Sequence, residues 1–241
     1  MPIARLLAEG IVIVSSILMA FAIDAWWDTR QENARHDRLL EALAVDFTIA
    51  EERLESDLAR ADSLTERSAT FLMLRDEPVA PPIDSLRFLV LGLFSAIEFD
   101  VSLPFYDAAI GSGELQLIES REFLEAAADY TQAARWAARS QEYTGNSYFL
   151  GLVAPLRARI GSMGALTRPA AACPAISTVC PYPPSLELDS AEIMALLGQN
   201  DAYAAFEAMY NGNLNLVAGL RRMREAAGRA VSALRTLQAA R

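Results

Sequence analysis

A run without charge opens the chain: Gly10 to Ile23, GIVIVSSILMAFAI. An unbroken apolar stretch has to be buried, in a bilayer or in a core, and so constrains the fold more than any other feature here. Its 14 residues make about 21 Å of helix, short of a hydrocarbon core of about 30 Å. Extended to Leu6 and Trp27 it reaches about 33 Å, with Glu9 and Asp24 near its two ends. Carboxylates so placed lie at head-group level, away from the costly midplane. Trp26 and Trp27 suit the aromatic belt of a membrane interface. Residues 1–27 are therefore expected to form an N-terminal transmembrane anchor, with Glu9, Asp24, Trp26 and Trp27 at its interfaces. Ser15, Ser16, Ala20 and Ala22 offer small side chains for packing against another membrane helix. Two rivals exist: a signal peptide ending at Ala20-Phe21-Ala22, and a helix buried in a soluble core.

After Trp27 the pattern turns amphipathic. Leu40, Leu43, Phe47, Ala50, Leu54, Ala61 and Leu64 recur at heptad spacing, with Asp57 the one break and Leu58 beside it. This predicts a long helix over 28–77, continuous with the anchor and stopped before Pro78, where Pro78 to Pro82 make a stiff linker. Further helices are expected within 84–161. The first follows Asp84 as N-cap, a short one starts at Ser102-Leu103-Pro104 and ends at Gly111-Ser112-Gly113, and a long one begins near Arg121. Phe123, Tyr130, Trp136, Tyr143 and Phe149 mark a buried face on the last. Residues 167–185 form a Pro-rich loop, and Asp189 caps a short helix through Leu197.

The C-terminal helix, about 202–240, has a regular seam of Leu216, Leu220, Met223, Ala227, Ala230, Leu234 and Leu237. Arg221, Arg222, Arg224, Arg229, Arg235 and Arg241 flank it. Acids flank the first seam: Asp46, Glu51, Glu52, Glu55, Asp57, Asp62 and Glu66. Equal period and opposite charge predict an antiparallel pair joined along Leu40, Leu43, Phe47 and Leu54 on one helix and Leu216, Leu220, Met223, Leu234 and Leu237 on the other. Such a pair turns the basic C-terminus back toward the membrane. The fold class expected is all-α: a transmembrane helix continuing into a long amphipathic helix, packed with a helical bundle domain over 28–241.

Cysteine usage and flanking charge bear on topology. Arg30, Arg35 and Arg38 after the span outnumber Arg5 before it, which on the positive-inside rule favours a cytoplasmic domain. Cys173 and Cys180 point the other way. A disulfide between them closes a ring of about 8 residues and contributes about 2.5 kcal/mol in the chain-entropy model, and such bridges belong to oxidising compartments. The expectation is a single-pass protein of the bacterial inner membrane with a periplasmic domain.

Chemistry is sparse. The formal net charge is −10, which speaks against nucleic acid as a partner. All 21 basic residues are Arg, so phosphate-loop and Schiff-base lysines are excluded. His36 is the one histidine, in a polar stretch where solvation is expected. No nucleophile motif accompanies it, and with two cysteines it makes no standard zinc set. Gly111-Ser112-Gly113 lacks the third glycine of a dinucleotide loop. No enzyme activity, cofactor or metal is expected.

The N-terminal RLLAEG, the IDAWW that closes the span, the stretch from Tyr106 to Ile118 (YDAAIGSGELQLI), and Leu124 and Tyr130 together resemble an uncharacterised family of bacterial single-span proteins with a helical extracytoplasmic domain. The resemblance covers about Arg5 to Tyr130 and implies architecture but no activity. The functional expectation is a non-enzymatic accessory or structural subunit that packs against and stabilises integral membrane proteins of a larger complex, with an energy-transducing one, photosynthetic or respiratory, as one candidate. The alternatives are a membrane-anchored sensing module and a homo-oligomeric helical scaffold. Sensing is disfavoured by the five residues that stand before Leu6, which offer no output domain.

Overall fold

The computed structural model describes residues 2–94, 99, 102–143 and 188–240, with side chains from Ser15 onward except Phe94 and Tyr143. It is all-helical, with six α-helices and no strand among the described residues. They are α1 (Pro2–Met73), α2 (Ile83–Phe94), α3 (Pro104–Ser112), α4 (Arg121–Tyr143), α5 (Ser190–Leu197) and α6 (Asn200–Ala239). Short 3₁₀ turns at Leu74–Asp76 and Glu114–Leu117 follow α1 and α3. Cys173, Cys180, Phe149 and the loop 167–185 lie outside the described residues, as do the side chains of Glu9 and Tyr143.

The 72 residues of α1 make a rod about 108 Å long. Its first part and the amphipathic part are one uninterrupted helix, as the sequence predicts. Among the described residues, no helix is long and apolar enough to cross a membrane. Asp24, Asp28, Arg30 and Glu32 end the apolar run quickly, and the side chains of Leu6 to Val14 lie outside the description.

The bundle begins at Leu39. Every heptad residue of the first seam from Leu40 to Leu64 is buried, and Leu58 fills the step that Asp57 leaves open. On α6, Leu216, Leu220, Met223, Ala227, Ala230 and Leu234 are buried, and Leu237 packs half-buried at the end of the same core. The two helices run antiparallel. Arg221 Nη2 lies 2.7 Å from Asp62 Oδ1, and Arg224 Nη2 lies 3.6 Å from Glu55 Oε1. The numbers rise on one helix as they fall on the other.

α6 packs as extensively on α4 as on α1, a second partner that the charge pattern does not announce. The α4 face is Phe123, Ala126, Ala127, Tyr130, Ala133, Ala134 and Ala137, all buried. Its alanines let α6 approach closely. A Cβ on Gly219 would stand 2.9 Å from both Ala137 Cβ and the Trp136 ring. Phe47 ties α3 and α4 to α1, since its ring meets Tyr106, Phe123 and Tyr130 edge-on at centroid distances of 5.6, 5.7 and 5.7 Å.

A second core sits at the far end of the rod. Phe71 of α1, Leu86, Val90 and Leu93 of α2, Ile193 and Leu197 of α5, and Phe206 and Met209 of α6 are buried there. Phe71 and Phe206 meet edge-on at 5.3 Å. α2 begins at Ile83, so Asp84 stands inside its first turn and not at the N-cap. That turn still favours a carboxylate through the helix dipole. α2 lies hard against α1 at Gly92, where a Cβ would stand 2.4 Å from the Leu64 carbonyl oxygen. α5 starts as the sequence predicts: Asp189 Oδ1 accepts from Glu192 N and Glu192 Oε2 accepts from Asp189 N, both at 2.8 Å. α6 starts two residues before the expected boundary, at Asn200.

Candidate functional site

The feature with no role inside the bundle is the first third of α1. Every residue from Ser15 to Arg35 is exposed. Phe21 is 66% exposed, Trp26 58% and Trp27 60%. Ser15, Ser16, Ala20 and Ala22 are exposed too, and no part of the bundle covers them. A helix that carries Ile17, Leu18, Met19, Phe21 and Ile23 in the open leaves a large apolar surface to be buried elsewhere.

That surface has a defined lower edge. Ile17, Phe21, Asp24 and Asp28 follow one another at steps of four, three and four, so one helix face passes from apolar to acidic at Asp24. On the other side Met19, Ala20 and Ile23 continue into the two tryptophans. The Trp26 and Trp27 rings lie 6.4 Å apart, and the Arg30 guanidinium stands 5.5 Å from the Trp26 ring centre. Asp28 to Arg38 is then polar apart from Ala34. Its side chains turn back on their own helix: Thr29 Oγ1 donates to Ala25 O at 2.8 Å, and Arg38 Nε donates to Ala34 O at 3.0 Å.

Where this stalk enters the bundle, two polar groups of α1 hold the α3 corner. Asp46, expected among the acids that flank the seam, is buried. Its Oδ2 accepts from the backbone N–H of Phe105 at 2.7 Å and of Tyr106 at 2.9 Å. The reason lies in α3 itself. Leu103 stands at its N-cap and has no side-chain acceptor, while Pro104 occupies the first helical position. The carboxylate of α1 supplies the missing cap. His36 is half-buried, not solvated, and its Nε2 lies 3.1 Å from the Leu117 carbonyl oxygen, to which it donates. The signal for Asp46 is present in the sequence. It lies on the line Leu39, Leu43, Asp46, Ala50, whose other members are buried.

Among the described residues no group of three or more His, Cys, Asp or Glu is placed to hold a metal. His36 Nε2 and Asp46 Oδ2 are each bonded to backbone groups of the α3 corner. No family model, no curated protein and no solved structure matches this chain.

Proposed function

We propose that this protein is a membrane-anchored, non-enzymatic accessory subunit that stabilises a larger membrane assembly. The observation that carries the reading is the exposed apolar stretch of α1, Ser15 to Trp27, continuous with a well-packed bundle that leaves it uncovered. A bilayer together with a partner's membrane helix would bury it. Trp26, Trp27 and Arg30 mark the head-group level, and Ser15, Ser16, Ala20 and Ala22 are the close-packing positions toward that partner. The anchor inserts its uncharged run with Glu9 and Asp24 at the two interfaces, and the bundle projects into the periplasm.

The register of α1 on α6 refines the picture. The pairs 62 with 221 and 55 with 224 set the end of α6 opposite about residue 40 of α1, about 20 Å of helix beyond Trp27. With the rod upright, the basic face of α6 stands farther from the head groups than a Debye length of about 8 Å. Head-group attraction of the C-terminus, expected from the sequence, therefore contributes little. The polar stalk from Asp28 to Arg38 holds the bundle at a distance, at the level of a partner's own extramembrane part.

Purification from native membranes in mild detergent, followed by mass spectrometry, tests this. Stoichiometric recovery of defined integral membrane proteins is expected. Recovery of the chain alone, or its release from membranes by alkaline carbonate, overturns the reading.

A further inference from the structure

A groove of about 330 Å³ runs along the outside of the α4–α6 contact, away from the stalk and independent of the membrane reading. Trp136 forms its floor. The inner side of the indole is seated on the bare backbone of Gly219, with Cζ3 2.9 Å from where a Cβ would stand. The rest of the ring faces the groove, half-exposed. Arg222 reaches over it, with its guanidinium carbon 5.5 Å from the ring centre. This is a looser approach than the 4.0 Å of Arg67 on Phe88 or the 4.3 Å of Arg75 on Tyr203. Arg139, one turn along α4, lines the same end.

The charges here are left over from the pairing that organises the rest of α6. Arg221 pairs with Asp62, Arg224 with Glu55, and Arg229 with Asp129 at 2.7 Å, which closes the other end of the groove. Arg222 and Arg139 have no carboxylate partner among the described residues, in a chain of net charge −10. Two guanidiniums outside these ion pairs, beside an indole face, match a planar group carrying a carboxylate. The fork of a guanidinium takes the carboxylate by paired hydrogen bonds, and the indole takes the flat apolar part. A volume of this size admits a small molecule. Glu225, on the same wall, sets a limit by repelling a second anionic group toward the middle of the groove.

We propose that the Trp136–Arg139–Arg222 groove binds small planar monocarboxylates of the aromatic type. The test uses the full chain in mild detergent with Trp26→Phe and Trp27→Phe, so that Trp136 is the sole tryptophan. Benzoate, its neutral isostere benzamide, and inorganic phosphate are titrated at constant ionic strength while Trp136 emission is followed. Calorimetry on the unsubstituted protein gives the same constants without relying on fluorescence. Benzoate is expected to saturate with Kd at or below about 1 mM. Benzamide and phosphate should each bind at least about tenfold more weakly, and Arg222→Gln should weaken benzoate by about tenfold with an unchanged thermal midpoint. No saturation with benzoate, equal binding of benzamide or phosphate, or an unaffected Arg222→Gln variant each overturns the proposal.

Discussion

At the residue scale, Asp46 shows how one buried polar group joins two elements. Its carboxylate accepts two amides of α3, and Leu103 has nothing to replace it. Asp46→Ala leaves the buried Tyr106 amide and the part-buried Phe105 amide unpaired, so a loss of about 1–2 kcal/mol is expected in denaturant unfolding. Asp46→Asn keeps an acceptor oxygen and should lose about 1 kcal/mol. Gly92 is the opposite case, a residue chosen for what it lacks. Gly92→Ala drives a methyl into the Leu64 carbonyl and the Ser68 hydroxyl at the α1–α2 crossing. Backbone cannot yield as a side-chain tip can, so about 3 kcal/mol of destabilisation is expected, read from the thermal midpoint.

At the element scale, the question is whether charge or burial holds α6 to its neighbours. The ion pairs are well formed but open to water. Arg221 and Asp62 retain 59% and 48% exposure, and pairs of that kind contribute about 0–1 kcal/mol. Leu220, one residue away, is fully buried. Leu220→Ala should therefore destabilise by about 2–5 kcal/mol and Arg221→Ala by less than about 1, compared side by side in urea. A reversed order would mean that the charges lock the register more strongly than the seam does. The opposite signs of the two flanks still select the partner, because pairing α6 with a second copy of itself would set Arg against Arg with the same burial.

At the scale of the whole molecule, the rod divides into a bundle and a stalk that share one helix. Asp28 to Arg35 is exposed throughout, so its length matters to position and not to packing. Deletion of the heptad Thr29 to Arg35 removes about 10 Å of helix and turns the bundle by only about 20°. The thermal midpoint should stay within about 3 °C of the parent's. Under the accessory-subunit reading, co-purification of the membrane partner is lost or weakened, because the bundle no longer meets the partner at the right height. Unchanged co-purification would show that the anchor alone makes the contact.

The sequence by itself determined the all-helical class, the continuity of α1, the two heptad seams, the stop of α3 at the Gly111–Gly113 stretch, the Asp189 cap and the antiparallel sense of α1 against α6. These are local or periodic properties. A repeat of three and four marks one face of a helix, and complementary flanking charge orients it. Only the tertiary structure decided who shares each face. It made α4 an equal partner of α6, because the alanines of α4 and Gly219 permit a close approach that periodicity does not distinguish from ordinary helix propensity. It took Asp46 from the solvent to the cap of α3 and placed His36 on Leu117, 81 residues along the chain. It also brought Trp136 beside Arg222. A side chain's partner across a packed interface depends on register and crossing, and no local pattern encodes those. The uncharged run at the start sits between the two cases. Its apolarity is written in the sequence, and the structure adds that from Ser15 onward it stays exposed beside the packed bundle.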